Sequence, residues 1–213
     1  MTTTAKFEQI ERPDNLWARN NASWYRITPG KGARIEGIVS VGITSREQTN
    51  YSGERPVKVD CPAMWVELSP AIADDRGGCS SERLPITING VQRDERFGAE
   101  VELLPASRED GHRDSYLRRV IEAIAEEYMT VNGVSYFVTS RLNYTTLSDS
   151  ARKLVRSVIE AIAAEYITDE RWHAYRVSQA EYAVDRAAQE LDKAQAALDS
   201  AVAARTAVKA ERA

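Results

Sequence analysis

Side chains able to move protons or hold metal ions are few and scattered in this sequence. Histidine occurs only at His112 and His173, and cysteine only at Cys61 and Cys79. An imidazole suits general acid–base work at neutral pH because its ordinary titration range lies there. The two histidines stand in unlike contexts. His173 follows Trp172 at the head of a long run free of helix breakers, and His112 precedes an apolar-periodic segment. Zinc ligands usually come in close pairs such as Cys-x-x-Cys. Cys61, Cys79, His112 and His173 offer no such pair, so no metal site is expected.

Gly77-Gly78-Cys79-Ser80-Ser81 resembles a nucleophile loop, but a nucleophile needs a base within hydrogen-bond reach and no matching motif accompanies it. A surface loop is the expectation there. Pro29-Gly30-Lys31-Gly32 lacks the spacing and the following Ser or Thr of a phosphate loop, and reads as a hairpin turn. Asp60, Asp74, Asp75 and His112 are the nominees for a catalytic site assembled from dispersed residues. Adjacent acids such as Asp74-Asp75, Asp94-Glu95 and Glu126-Glu127 point in different directions on a strand or helix and make no dyad by themselves. The sequence therefore assigns no catalytic residue, no cofactor and no metal, and an enzyme is not expected. Asn21-Ala22-Ser23 and Asn143-Tyr144-Thr145 match glycosylation acceptors. The N-terminal Met1–Lys6 stretch shows no apolar leader, so these triplets are read as chance matches.

Two patterns point to binding instead. Trp17, Trp24 and Tyr25 are interleaved with Arg12, Arg19 and Arg26. Such mixtures occur at protein interface hot spots and on nucleic-acid stacking surfaces. The competing reading is that the tryptophans cap a sheet core. The second pattern lies in Asp169–Ala213, which contains no Gly or Pro. There Val184, Leu191 and Leu198 fall seven apart, and so do Ala180, Ala187, Ala194, Ala201 and Val208, an a/d heptad seam. The eight acids and seven bases of this segment alternate in sign, as on a solvated coiled-coil face. The expected interface residues are thus Val184, Ala187, Leu191, Ala194, Leu198, Ala201 and Val208 for self-association. Trp17, Arg19, Trp24, Tyr25 and Arg26 are expected to meet a partner.

The elements that must position these residues divide near residue 106. All seven prolines and ten of the eleven glycines lie at or before Gly111, so the first half is turn-rich and the second helical. Period-2 apolar alternation marks strands around Ser23–Thr28, Arg34–Thr44, Val57–Cys61, Met64–Leu68, Ile86–Ile88 and Ala99–Leu103. Gly37 and Gly42 interrupt one strand and predict a bulge or a close backbone approach. Asn89-Gly90 predicts a tight hairpin. Apolar stripes at three- and four-residue steps predict helices over Leu117–Tyr128 and Leu154–Tyr166, the second capped at Ser148 or Asp149. Arg118–Thr130 and Arg156–Thr168 agree at ten of thirteen positions, including Glu, Tyr and Thr, and predict a duplicated helix pair.

Composition sets the outer bounds. The chain of 213 residues is 43% hydrophobic and 28% charged with net charge −4. That is a globular composition without bulk attraction to nucleic acid or anionic lipid. No apolar run reaches membrane-spanning length. The preponderance of Arg over Lys, 22 to 6, fits a GC-rich genome such as that of a phage or its host.

The expected fold is α+β: an N-terminal antiparallel β sandwich or small barrel, a duplicated helix pair, and a long C-terminal coiled-coil helix. The expected divisions are an arm over 1–30, a β domain over 31–105, duplicated helices around a β hairpin over 106–168, and the seam helix over 169–213. The expected function is that of a non-catalytic assembly or interaction protein, in concrete form a phage structural or accessory protein that oligomerises through its C-terminal helix. The alternative is a regulator that binds another protein or a nucleoprotein complex in recombination or defence. Its partners would be copies of itself or another protein, without a membrane and without direct nucleic-acid contact. Its location would be the cytoplasm or the virion.

Overall fold

The computed structural model describes residues 5–17, 19, 21–50, 57–105, 128–131, 134–143 and 146–211. The chain forms two units, 1–172 and 173–213. The first unit is built on strands β1 (Lys6–Ile10), β2 (Ser23–Thr28), β3 (Ile35–Asn50), β4 (Val57–Glu67), β9 (Gly98–Pro105), β10 (Tyr128–Val131) and β11 (Val134–Asn143). These form one antiparallel sheet in the order β1-β2-β3-β4-β9-β11-β10, with β1 and β10 at its edges. Strands β7 (Ile86–Ile88) and β8 (Val91–Arg93) attach to the start of β3. β5 (Ala71–Ala73) and β6 (Cys79–Arg83) form a separate hairpin.

Alternation decides which face is buried. Val39 and Val41 of β3, Met64 and Val66 of β4, and Ala99, Val101 and Leu103 of β9 all project to one side and are buried. Helix α1 (Asp149–Tyr166) packs against β9 and β11. Its buried stripe Leu154, Val155, Val158, Ile159, Ile162, Ala163 and Tyr166 recurs at the three- and four-residue steps of one helical face. Ser148 caps its first turn by accepting from the Ala151 N–H. Ser140 Oγ donates to Glu160 at 2.7 Å, and Arg156 donates to the Ser140 carbonyl, fixing the helix on β11. At the other end Tyr166 meets Tyr25 edge-on, with ring centroids 6.3 Å apart.

The expected sandwich or small barrel is corrected here. The fold is broadly α+β with a β-rich N-terminal part, but the described strands make one large antiparallel sheet and the small β5–β6 hairpin. Helix α1, rather than a second sheet, packs on the β9–β11 part of the buried face. The duplicated helix pair is corrected as well. Tyr128, Met129 and Thr130 of the first copy lie in strand β10, in register with Phe137, Tyr136 and Ser135. Val131 pairs with Val134 across a two-residue connection. Strand β11 lies beside Tyr128–Val131, and strand pairing overrides the local likeness to a helix end. The remainder of that first copy, with His112, falls outside the described residues.

Two sequence signals take definite form. Asn89 and Gly90 both have positive φ, 52° and 79°, as a type I′ hairpin requires, and β7 pairs with β8 across them. Pro62 does not end a strand. It lies inside β4, opposite Ser45, and the ladder to β9 begins only at Ala63, so β4 is an edge on that side where the ring sits.

Helix α1 stops at Ile167, whose backbone leaves the helical region, and Thr168 caps the next helix by accepting from the Arg171 N–H. That helix, α2, runs Asp169–Glu211. Its 43 residues span about 64 Å at 1.5 Å per residue. Trp172, the last residue of the first unit, is buried. Among the described residues no helix is long and apolar enough to cross a membrane.

Candidate functional site

On the sheet face opposite α1, a cleft of about 240 Å³ opens over β3, β4 and β9. Trp65 of β4 stands between Gly42 of β3 and Glu100 of β9 in the strand register. Its indole lies on Gly42, where a Cβ would come within 2.3 Å of the ring. Glycine at this position is what lets the aromatic plane rest on the backbone. The Arg19 guanidinium stands 5.1 Å from the centroid of the same ring, a cation–π arrangement.

Charge in the cleft is unevenly matched. Arg46 holds Glu100 through Nε at 2.7 Å and lies 3.9 Å from Glu102. Glu67 pairs with Arg83 at 2.6 Å, both side chains nearly buried. Arg19 and Arg96 also line the cleft, and neither makes an ion pair among the described residues. Among the described residues the cleft therefore presents two guanidinium groups without a carboxylate partner beside the Trp65 ring, an arrangement that suits a small anion or an acidic side chain.

The expected partner-facing residues separate in the structure. Trp24 and Tyr25 are buried in the first unit, and Tyr25 also touches Phe7. Burial pushes the Tyr25 hydroxyl above its ordinary range, against the lowering effect of Arg171. Trp17 is half-buried, with its N–H donating to the Ala71 carbonyl. Arg26 is exposed on β2 and pairs across the strand with Glu8 at 3.2 Å. Arg19 alone of the group joins the Trp65 cleft. Nothing in local spacing announces Trp65, because its partners Gly42, Arg19 and Arg96 meet it only through strand register and chain folding.

Of the residues nominated for catalysis, Asp60, Asp74 and Asp75 lie among the described residues and His112 does not. Asp60 is exposed on β4. Asp74 accepts from the N–H groups of Arg76 and Gly78 and so shapes the β5–β6 turn. Cys61 is buried, and burial followed by the charges of Asp60 and Glu102 pushes its thiol up to about 11. Cys79 is exposed. Among the described residues no three His, Cys, Asp or Glu side chains are grouped to hold a metal ion.

The seam residues occupy one line along α2. Val184, Leu191 and Leu198 are 67%, 70% and 57% exposed, and Ala187, Ala194 and Ala201 are exposed beside them. The Val208 side chain falls outside the described residues. Arg186 with Glu190, and Gln195 with Asp199, interact at i,i+4 on the polar side of the helix. No family model, curated protein or solved structure matches this chain.

Proposed function

We propose that this chain is a non-catalytic assembly protein that associates with copies of itself through the seam on α2. One observation supports the reading: Val184, Leu191 and Leu198, alternating with Ala187, Ala194 and Ala201, form an exposed apolar line with a mean spacing of 3.5 residues. Single exposed apolar side chains are ordinary on a protein surface. A line that keeps the heptad period over three turns and more stays aligned only along a second helix. The test is the absolute mass of the full chain in solution against a Leu191→Glu, Leu198→Glu double variant. The expected result is a multiple of 23.8 kDa for the full chain and 23.8 kDa for the variant. A monomeric full chain across the micromolar range overturns the proposal.

The cleft at Trp65 favours a second reading, a regulator that docks an acidic segment of another protein. Arg19 and Arg96 would hold the carboxylates there, and the indole would supply contact area. Titration with an oligo-glutamate peptide tests it through tryptophan emission. A response lost in an Arg19→Ala, Arg96→Ala variant supports this reading, and no response in the unaltered chain sets it aside.

A further inference from the structure

The seam residues also carry information about how two helices would be oriented, an inference that rests on the self-association proposed above. Along α2, one core position of the heptad holds Val177, Val184, Leu191, Leu198 and Arg205, and the other holds Ala180, Ala187, Ala194, Ala201 and Val208. In a parallel, in-register pair each residue meets its own copy. Leucine would face leucine and alanine would face alanine in alternating layers. The leucine layers would hold the helices apart, and the alanine layers would be left with gaps whose lining loses its packing contacts. Arg205 would also be set against Arg205 of the other copy, two like charges at one level.

An antiparallel pair mixes the two positions instead. With Leu191 opposite the partner's Ala194, the same register sets Leu198 opposite the partner's Ala187 and Val184 opposite the partner's Ala201. Each of these three layers then holds one large and one small side chain, and the helices approach evenly from position 184 to position 201, with Val177 opposite the partner's Val208 only at the ends of the seam. Arg205 falls opposite the partner's Ala180, next to the partner's Glu181, so a cation meets an anion rather than its like. Sliding one helix by a heptad would set Arg205 against the partner's His173 and forgo that match.

We infer that two copies of this chain pair antiparallel through α2, with the two-fold centre between Asp192 and Lys193. The alternation of layer volumes selects the antiparallel orientation, and the placement of Arg205 beside the partner's Glu181 selects the register.

Disulfide trapping in the full chain tests it. Cys79 is exposed and is replaced by Ser, while buried Cys61 is kept. A disulfide needs Cα atoms within about 7 Å. Positions 184 and 201 of one straight helix are about 26 Å apart, so a bridge between them must join two chains. On this background a Val184→Cys, Ala201→Cys variant is expected to run as a covalent dimer after mild oxidation, and Ala201→Cys alone as a monomer. A covalent dimer from Ala201→Cys alone shows a parallel pair. A dimeric mass with no bridge in either variant shows another register. Either result overturns the inference while self-association stands. A monomeric mass for the unaltered chain overturns both.

Discussion

The indole of Trp65 rests on Gly42 of the neighbouring strand, at a place where any Cβ would fall 2.3 Å from the ring. Gly42→Ala must therefore push the ring out toward Arg19 and disturb the cleft wall. Overpacking of this kind costs about 1–3 kcal/mol. Urea unfolding followed by tryptophan emission would show it as a lower midpoint together with a changed native spectrum. An unchanged midpoint and spectrum would mean that the ring has room elsewhere.

Ile159 is fully buried where α1 covers the sheet. Ile159→Ala removes three carbons and leaves a cavity, at a cost of about 2–5 kcal/mol. Val184→Ala removes two carbons from an exposed position of α2 and should leave the stability of the first unit within about 0.5 kcal/mol. Thermal unfolding of both variants at one protein concentration compares them directly.

Glu67 and Arg83 pair at 2.6 Å with side chains only 13% and 11% exposed. Glu67→Met leaves a nearly buried guanidinium without its carboxylate and is expected to cost about 3 kcal/mol. Replacing both residues by Met should recover most of that loss, because the lone charge is then gone. The three chemical denaturation midpoints decide whether the cost belongs to the broken pair or to lost packing.

The two thiols should behave differently. Cys79 is exposed and is expected to react with a thiol reagent in the native protein, whereas Cys61 reacts only on unfolding. The Cys61 thiol titrates at about 11 in the folded chain, against 9.0 for an unburied one. Above pH 9 the unfolded chain gives up that proton while the folded chain keeps it. Stability therefore falls as pH rises from 9 to 11, and the dependence levels off beyond. The loss from this group is at most about 3 kcal/mol, at 1.36 kcal/mol per pKa unit. Cys61→Ser or Cys61→Ala should flatten that part of the stability–pH curve.

Local signals carried the reading of the sequence some distance. Alternation marked β2, β3, β4, β7 and β9, Asn89-Gly90 marked its hairpin, and Ser148 marked the start of α1, because each is a preference expressed within a few residues. What covers a sheet face is not expressed locally. Val39, Met64 and Val101 show that one side is apolar, and the same pattern serves a second sheet or a helix. Tyr128–Thr130 shows the converse difficulty. Its match to Tyr166–Thr168 is close, yet the partner strand beside it decides its conformation. The cleft was illegible for a related reason: Arg19, Gly42 and Trp65 meet only once register is fixed. The helix that carries Val184, Leu191 and Leu198 needs no such long-range information, since a run without Gly or Pro is visible in the chain itself.

Strand β1 closes one side of the sheet with its outer row of backbone groups unclaimed among the described residues. Such a row is a template on which foreign strands can stack into fibrils. Lys6 and Glu8 are both exposed there, and Glu8 is tied to Arg26 on the strand behind. A newcomer would have to strip water from these charges in order to dock. The β1 border of the sheet thus carries its own guard against runaway polymerisation.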